Sequence, residues 1–95
     1  MLPTNRVSTH PGRFVRENLK ELGWSQVDFA KHCGISLQRL NEIVNGRRGI
    51  TAETAWIFGQ AFGVSAEFWM NAQVAYDLTK SRPAKKVPAI KAKAA

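Results

Sequence analysis

Helix-start and helix-stop residues divide residues 11–80 into five apolar stretches, and this punctuation restricts the chain to short helices. Pro11 opens the first stretch and Gly23 closes it; Ser25 and Gly34 bracket the second, Ser36 and Asn45-Gly46 the third, Thr51 and Gly63 the fourth, and Ser65 opens a fifth that runs to Lys80. Apolar residues recur inside them at helical spacing: Phe14, Val15, Leu19 and Leu22 with Asn18; Val27, Phe29, Ala30 and Cys33; Leu40, Ile43 and Val44; Ala55, Ile57, Phe58, Ala61 and Phe62. The fifth stretch is rich in large rings, Phe68, Trp69 and Tyr76, with Met70, Val74 and Leu78. Nowhere do Val, Ile and Thr alternate as a strand requires, so the expected fold is all-α with five helices.

A chain of 95 residues, 44% of them hydrophobic, makes one small core, which excludes a two-domain enzyme. Cys33, the single cysteine, can form no internal disulfide and reads as a small buried hydrophobe. His10 and His32 are the only histidines, too few for zinc-ligand spacing, and no serine or cysteine nucleophile pairs with either. They read as surface or capping groups, so no metal, no cofactor and no enzyme activity is expected. No apolar run is long enough to span a membrane, and the polar start, Met1 to Gly12, lacks a signal peptide's regions, so the expected location is the reducing cytoplasm.

The net charge of +7 points to a polyanionic partner, but its distribution qualifies the inference. All seven acids lie between Glu17 and Asp77, whereas residues 81–95 hold five bases (Arg82, Lys85, Lys86, Lys91, Lys93) and no acid. Residues 1–80 therefore carry nine bases against seven acids, only +2. With Pro83, Pro88, repeated Ala and Lys and no aromatic, residues 81–95 cannot bury enough surface to offset ordering and read as a disordered basic tail behind a domain at 10–80.

Two short Ser-capped helices joined by Gly34-Ile35 form the helix-turn-helix pattern, whose second helix enters a DNA major groove. At about 100° per residue, Leu37, Gln38, Asn41 and Asn45 share one sector of the third helix, and Leu40 and Ile43 lie outside it. An amide offers a donor and an acceptor at the separation of adenine N6 and N7, and Leu37 suits a thymine methyl. Gln26, on the first turn of the second helix, lies where free backbone N–H groups attract a phosphate. Arg47 and Arg48, between Gly46 and Gly49, are placed to grip the flanking backbone. Arg39, on the flank of the amide face, either reaches a phosphate or pairs with a carboxylate. Against these readings, exposed amides on a short helix and an arginine pair in a loop are by themselves ordinary solvated surface.

The runs His10-Pro11-Gly12, Ser25-Gln26, Gly34-Ile35-Ser36, Asn41-Glu42-Ile43-Val44-Asn45-Gly46-Arg47-Arg48-Gly49-Ile50-Thr51, Glu67-Phe68-Trp69, and Gln73 with Tyr76-Asp77-Leu78 resemble the Xre-type, lambda-repressor-like helix-turn-helix proteins, and within them the HigA/VapI antitoxins. That resemblance implies a homodimeric repressor that binds a palindromic operator in double-stranded DNA of its own promoter, on the bacterial nucleoid. It also implies a partner to neutralise, a HigB-like toxin acting as a ribosome-dependent mRNA endonuclease. Carried over by position, Gln26, Ser36, Gln38, Asn41 and Asn45 would face DNA, with Arg39, Arg47 and Arg48 on the backbone. Arg13 stands where many relatives carry an acid, and Leu37 where a polar residue is commoner. A repressor without a toxin, and a protein-interaction module whose tail merely adheres to nucleic acid, are the competing readings.

Dimerisation has a physical argument of its own, because a domain of about 70 ordered residues has little core in which to hide the rings of the fifth helix. Trp69 and Tyr76 lie on one stripe with Ala72 beside it, and an isologous contact there would hold two reading helices roughly 34 Å apart. Phe68 is assigned to the protomer core.

Overall fold

The structure, a computed structural model, describes residues 2–3 and 5–94; Met1 and Thr4 of the polar start and Ala95 of the basic tail lie outside the described residues. Five helices follow one another, α1 (Pro11–Leu22), α2 (Gln26–Cys33), α3 (Leu37–Val44), α4 (Ala52–Phe62) and α5 (Ala66–Lys80), with no strand among the described residues. Four begin at a hydroxyl that accepts the backbone N–H of the third helical residue: Ser25 from Asp28 at 3.1 Å, Ser36 from Arg39 at 3.0 Å, Thr51 from Thr54 at 3.3 Å, and Ser65 from Phe68 at 3.1 Å. Helix α1 is capped differently, by the His10 imidazole, whose Nδ1 accepts the Gly12 N–H at 2.9 Å.

Helix α3 lies against α1 and α2, and α4 against α5, with further contacts from α5 to α1 and from α4 to α2. Val15, Leu19, Phe29, Leu40, Ile43, Ala55, Phe58 and Trp69 form the centre of the core. Trp69 sits at the hub of its rings, with centroids 5.5 Å from Phe58, 5.6 Å from Phe62 and 5.2 Å from Phe68, while Phe29 stacks on Phe62 at 4.9 Å. The start of α1 crosses the end of α3 so closely that a Cβ at position 12 would run into the Ile43 carbonyl oxygen. Only glycine lets the backbones meet there.

Two expectations about burial are overturned. Leu22 and Val27, although in phase with their apolar stripes, are exposed. Leu22 is the last residue of α1 and Val27 lies on the first turn of α2, helix ends that the rest of the protomer leaves open. Trp69, expected on a dimer surface, is 0% exposed, whereas Phe68, expected in the core, is 41% exposed and leans on Phe14 at 5.6 Å. One residue step turns a helix by about 100°, so α4 can engulf one ring and leave the next at the rim.

Residues before α1 run along the end of α5. The Ser8 N–H donates to the Thr79 hydroxyl at 2.8 Å, that hydroxyl donates to the Ala75 carbonyl at 2.7 Å, and Arg82 donates to the Pro3 carbonyl at 2.6 Å. Beyond Lys80 the described chain is exposed and without helix. The radius of gyration, 17.2 Å, exceeds the about 12 Å of a compact chain of this length because that segment projects from the body. Among the described residues no helix is long and apolar enough to cross a membrane.

Candidate nucleic-acid interface

The turn between α2 and α3 depends on Gly34, which adopts a left-handed φ of 70° and returns its N–H to the Lys31 carbonyl at 3.2 Å. Ile35 follows, bonded to the Ala30 carbonyl at 3.1 Å and packed against the core, and Ser36 starts the next helix immediately. Helix α3 is thereby anchored through buried Leu40, Ile43 and Val44, with Leu37, Gln38, Asn41 and Asn45 exposed on its other side.

Those exposed amides form a row with side chains of two other helices. Asn41 Nδ2 donates to Gln26 Oε1 of α2 at 3.4 Å, Asn45 Nδ2 donates to Asn41 Oδ1 at 3.1 Å, and Arg16 of α1 donates to Asn45 Oδ1 at 2.9 Å. Gln38 stands beside the row with no side-chain hydrogen bond among the described residues. Each amide in the row uses only part of its capacity and presents the rest to solvent.

The arginines divide. Arg39 turns away from the amide row into α4, with Nη2 at 3.1 Å from Glu53 Oε1 and 2.6 Å from the Thr54 hydroxyl, so of its two expected roles the structure gives the carboxylate pair. Arg48 pairs with Glu42 at 3.0 Å. Arg47 has no side-chain partner among the described residues, and its backbone N–H donates to the Glu42 carbonyl at 2.8 Å. The loop carrying both is latched to α5 by Gln73, buried, whose Oε1 accepts the Ile50 N–H at 2.7 Å and whose Nε2 donates to Asp77 at 2.8 Å.

Arg16 and Gln73 were missed as site residues by sequence reasoning. Arg16 gave no local sign, because its partner Asn45 is 29 positions away. Gln73 did give one: it continues the inward line Ala66, Trp69, where a polar residue needs a buried partner.

Of the stripe expected at a dimer contact, Trp69 is buried in the protomer and Ala72 is half-buried. Tyr76 is half-buried, its ring edge-on to His10 at 4.7 Å and under the Lys80 ammonium at 5.4 Å. The outward side of α5, about 180° away, carries Glu67, Asn71, Val74 and Leu78, the last two 48% and 55% exposed. Trp56 of α4, 62% exposed, borders it across an open groove with Met70 and Asn71.

Burial lowers the pKa of His10, opposed by Asp77 and assisted by Lys80, and burial raises that of the Cys33 thiol, which favours its protonated form. Among the described residues no group of His, Cys, Asp and Glu is arranged to hold a metal.

A short capped helix fixed across a second by a left-handed glycine, with an exposed amide face and an arginine loop at its end, defines a helix-turn-helix protein. Residues 15–69 match the helix-turn-helix family model. The chain is 49% identical over 70 residues to virulence-associated protein I of Dichelobacter nodosus, covering 73% of this chain and 65% of that relative. It spans under two thirds of the length of that relative and of virulence-associated protein A'. Among solved structures, an addiction module antidote protein of the HigA family from Coxiella burnetii superposes with a TM-score of 0.76 at 40% identity, over 80% of this chain and 84% of that one. The Pseudomonas aeruginosa antitoxin HigA with the higBA promoter gives 0.74 at 39% identity, over 77% and 80%. The chain belongs to the Xre-type helix-turn-helix family, with VapI-like proteins among its relatives and HigA-type antidote proteins among its structural neighbours.

Proposed function

We propose that the protein is a sequence-specific DNA-binding antitoxin that represses its own operon and neutralises a HigB-like mRNA endonuclease. The observation that carries the DNA half is the exposed face of α3, where Gln38 is uncommitted and Asn41 is aligned with Gln26 at the start of α2. An α-helix in the major groove presents such amides to base edges while the neighbouring helix start meets a phosphate. In this reading Leu37, Gln38, Asn41 and Asn45 read bases, Gln26, Ser36, Arg47 and Arg48 hold the backbone, and Arg39 acts indirectly by tying α3 to α4. Arg48 would exchange its carboxylate partner for a phosphate. The toxin half is supported by likeness to proteins described as antitoxins. Residues 10–80 constitute the binding domain and residues 81–95 an appended basic segment, working in the cytoplasm on the nucleoid. A palindromic site implies a homodimer, whose contact we assign to the outward face of Val74, Leu78 and Trp56 in place of Trp69, Ala72 and Tyr76.

Footprinting and anisotropy on the DNA upstream of its own gene test the reading. Gln38→Ala and Asn41→Ala should each weaken binding to the protected sequence by about 1 to 3 kcal/mol and leave binding to random duplex unchanged. Equal losses on both would refute base reading. Co-purification with the product of the adjacent gene tests the toxin half, and a gene context without a small basic neighbour returns the narrower reading of a repressor alone.

A further inference from the structure

We propose that residues 82–94 form a second DNA-binding element, an extended arm that follows the phosphate backbone outside the half-site read by α3. The proposal rests on the DNA-binding reading above and adds where the segment goes and what it contacts.

The first observation is its point of departure. Lys80, at the end of α5, lines one open cleft of about 420 Å³ together with Arg47 and Arg48. The segment therefore leaves the body beside the loop assigned to the backbone. The root is fixed, because Arg82 donates to the Pro3 carbonyl at 2.6 Å and Thr79 holds the Ser8 N–H at 2.8 Å. A fixed root gives the arm a defined starting point relative to α3.

Chemistry supplies the second argument. Lys85, Lys86, Lys91 and Lys93 are exposed, without a carboxylate partner among the described residues, and no acid follows Asp77 in the sequence. Beyond Arg82, which is held on the Pro3 carbonyl, the segment contains no Asn, Gln, His, Arg or aromatic residue, so it has nothing with which to stack on bases or to read an amide-type pattern. Ammonium groups on an extended chain suit a line of phosphates, and Pro83 and Pro88 reduce the entropy lost when the chain is laid along it. Fully extended, residues 83–94 reach at most ~40 Å, and duplex DNA presents a charge every ~1.7 Å of axis, so all four lysines can engage at once.

The test compares the full-length protein with a full-length variant carrying Lys85→Gln, Lys86→Gln, Lys91→Gln and Lys93→Gln, substitutions at exposed positions that make no fold contact. Affinities are measured across a salt series on two upstream duplexes, one trimmed to the protected sequence and one extended by roughly a helical turn on each side. The expected results are a salt slope reduced by about 3 to 4 units per bound chain in the variant, and a preference of the wild type for the longer duplex that the variant lacks. A slope change below about one unit per chain, or the same length dependence in both proteins, overturns the proposal. Failure of the underlying reading looks different. The wild type would then show no preference for upstream over random duplex, while the slope difference, being independent of sequence, would still decide the role of the arm.

Discussion

His10 shows how a single side chain can join capping, packing and titration. Its Nδ1 must stay unprotonated to accept the Gly12 N–H, and its ring lies between Tyr76, Asp77 and Lys80. Burial holds its pKa below the ordinary 6.5, with Asp77 pulling upward and Lys80 downward to lesser extents. Because the unfolded chain takes up the proton more readily, stability from the neutral ring is complete above pH 6.5 and is lost as pH falls through the lower folded value. The melting temperature should therefore drop as the pH falls below about 6.5, and drop less in His10→Asn, which keeps a capping oxygen but does not titrate. Parallel pH profiles for the two proteins would remove His10 as the source.

At the scale of elements, the position of α3 is set by ties that each join it to a different neighbour. Gly12 admits α1, the Gln26–Asn41 contact aligns α2, Arg39 binds α4, and Gln73 of α5 holds the loop that follows α3. The last tie is buried, so its loss leaves the Ile50 N–H without an acceptor and away from water. Gln73→Leu should cost about 1 to 3 kcal/mol in urea unfolding and speed hydrogen exchange at the Ile50 amide. Unchanged exchange there would mean that the loop is held by the rest of its packing. Helix limits were legible beforehand at every element, since Ser25, Ser36, Thr51 and Ser65 are caps that act within one turn. The ties were not, because each couples residues distant in the chain.

For the whole molecule, the proposed dimer contact lies on the apolar surface that α4 and α5 leave open. Val74→Glu together with Leu78→Glu places charges on exposed positions that the protomer does not need. The double variant should stay folded by circular dichroism, run as a monomer in light scattering, and bind a palindromic site at least about tenfold more weakly, having lost the second half-site. A dimer that survives these changes would place the contact elsewhere on the surface. The burial of Trp69 has a related cause: rings seven residues apart mark a face, but an amphipathic pattern does not state which of two apolar neighbours, the chain's own α4 or another molecule, will cover it.

From sequence alone came the properties that local chemistry decides: five helices and their limits, the tight turn, the apolar side of α3 and its amide side. Each depends on interactions spanning four residues or fewer, or on the 3.6-residue period. Only the tertiary structure decided that Trp69 is interior and Phe68 marginal, that Arg39 serves α4, that Arg16 joins the amide row, and that Gln73 carries the loop. Those outcomes turn on which distant side chain arrives first at a given surface, and that depends on the angles at which helices cross.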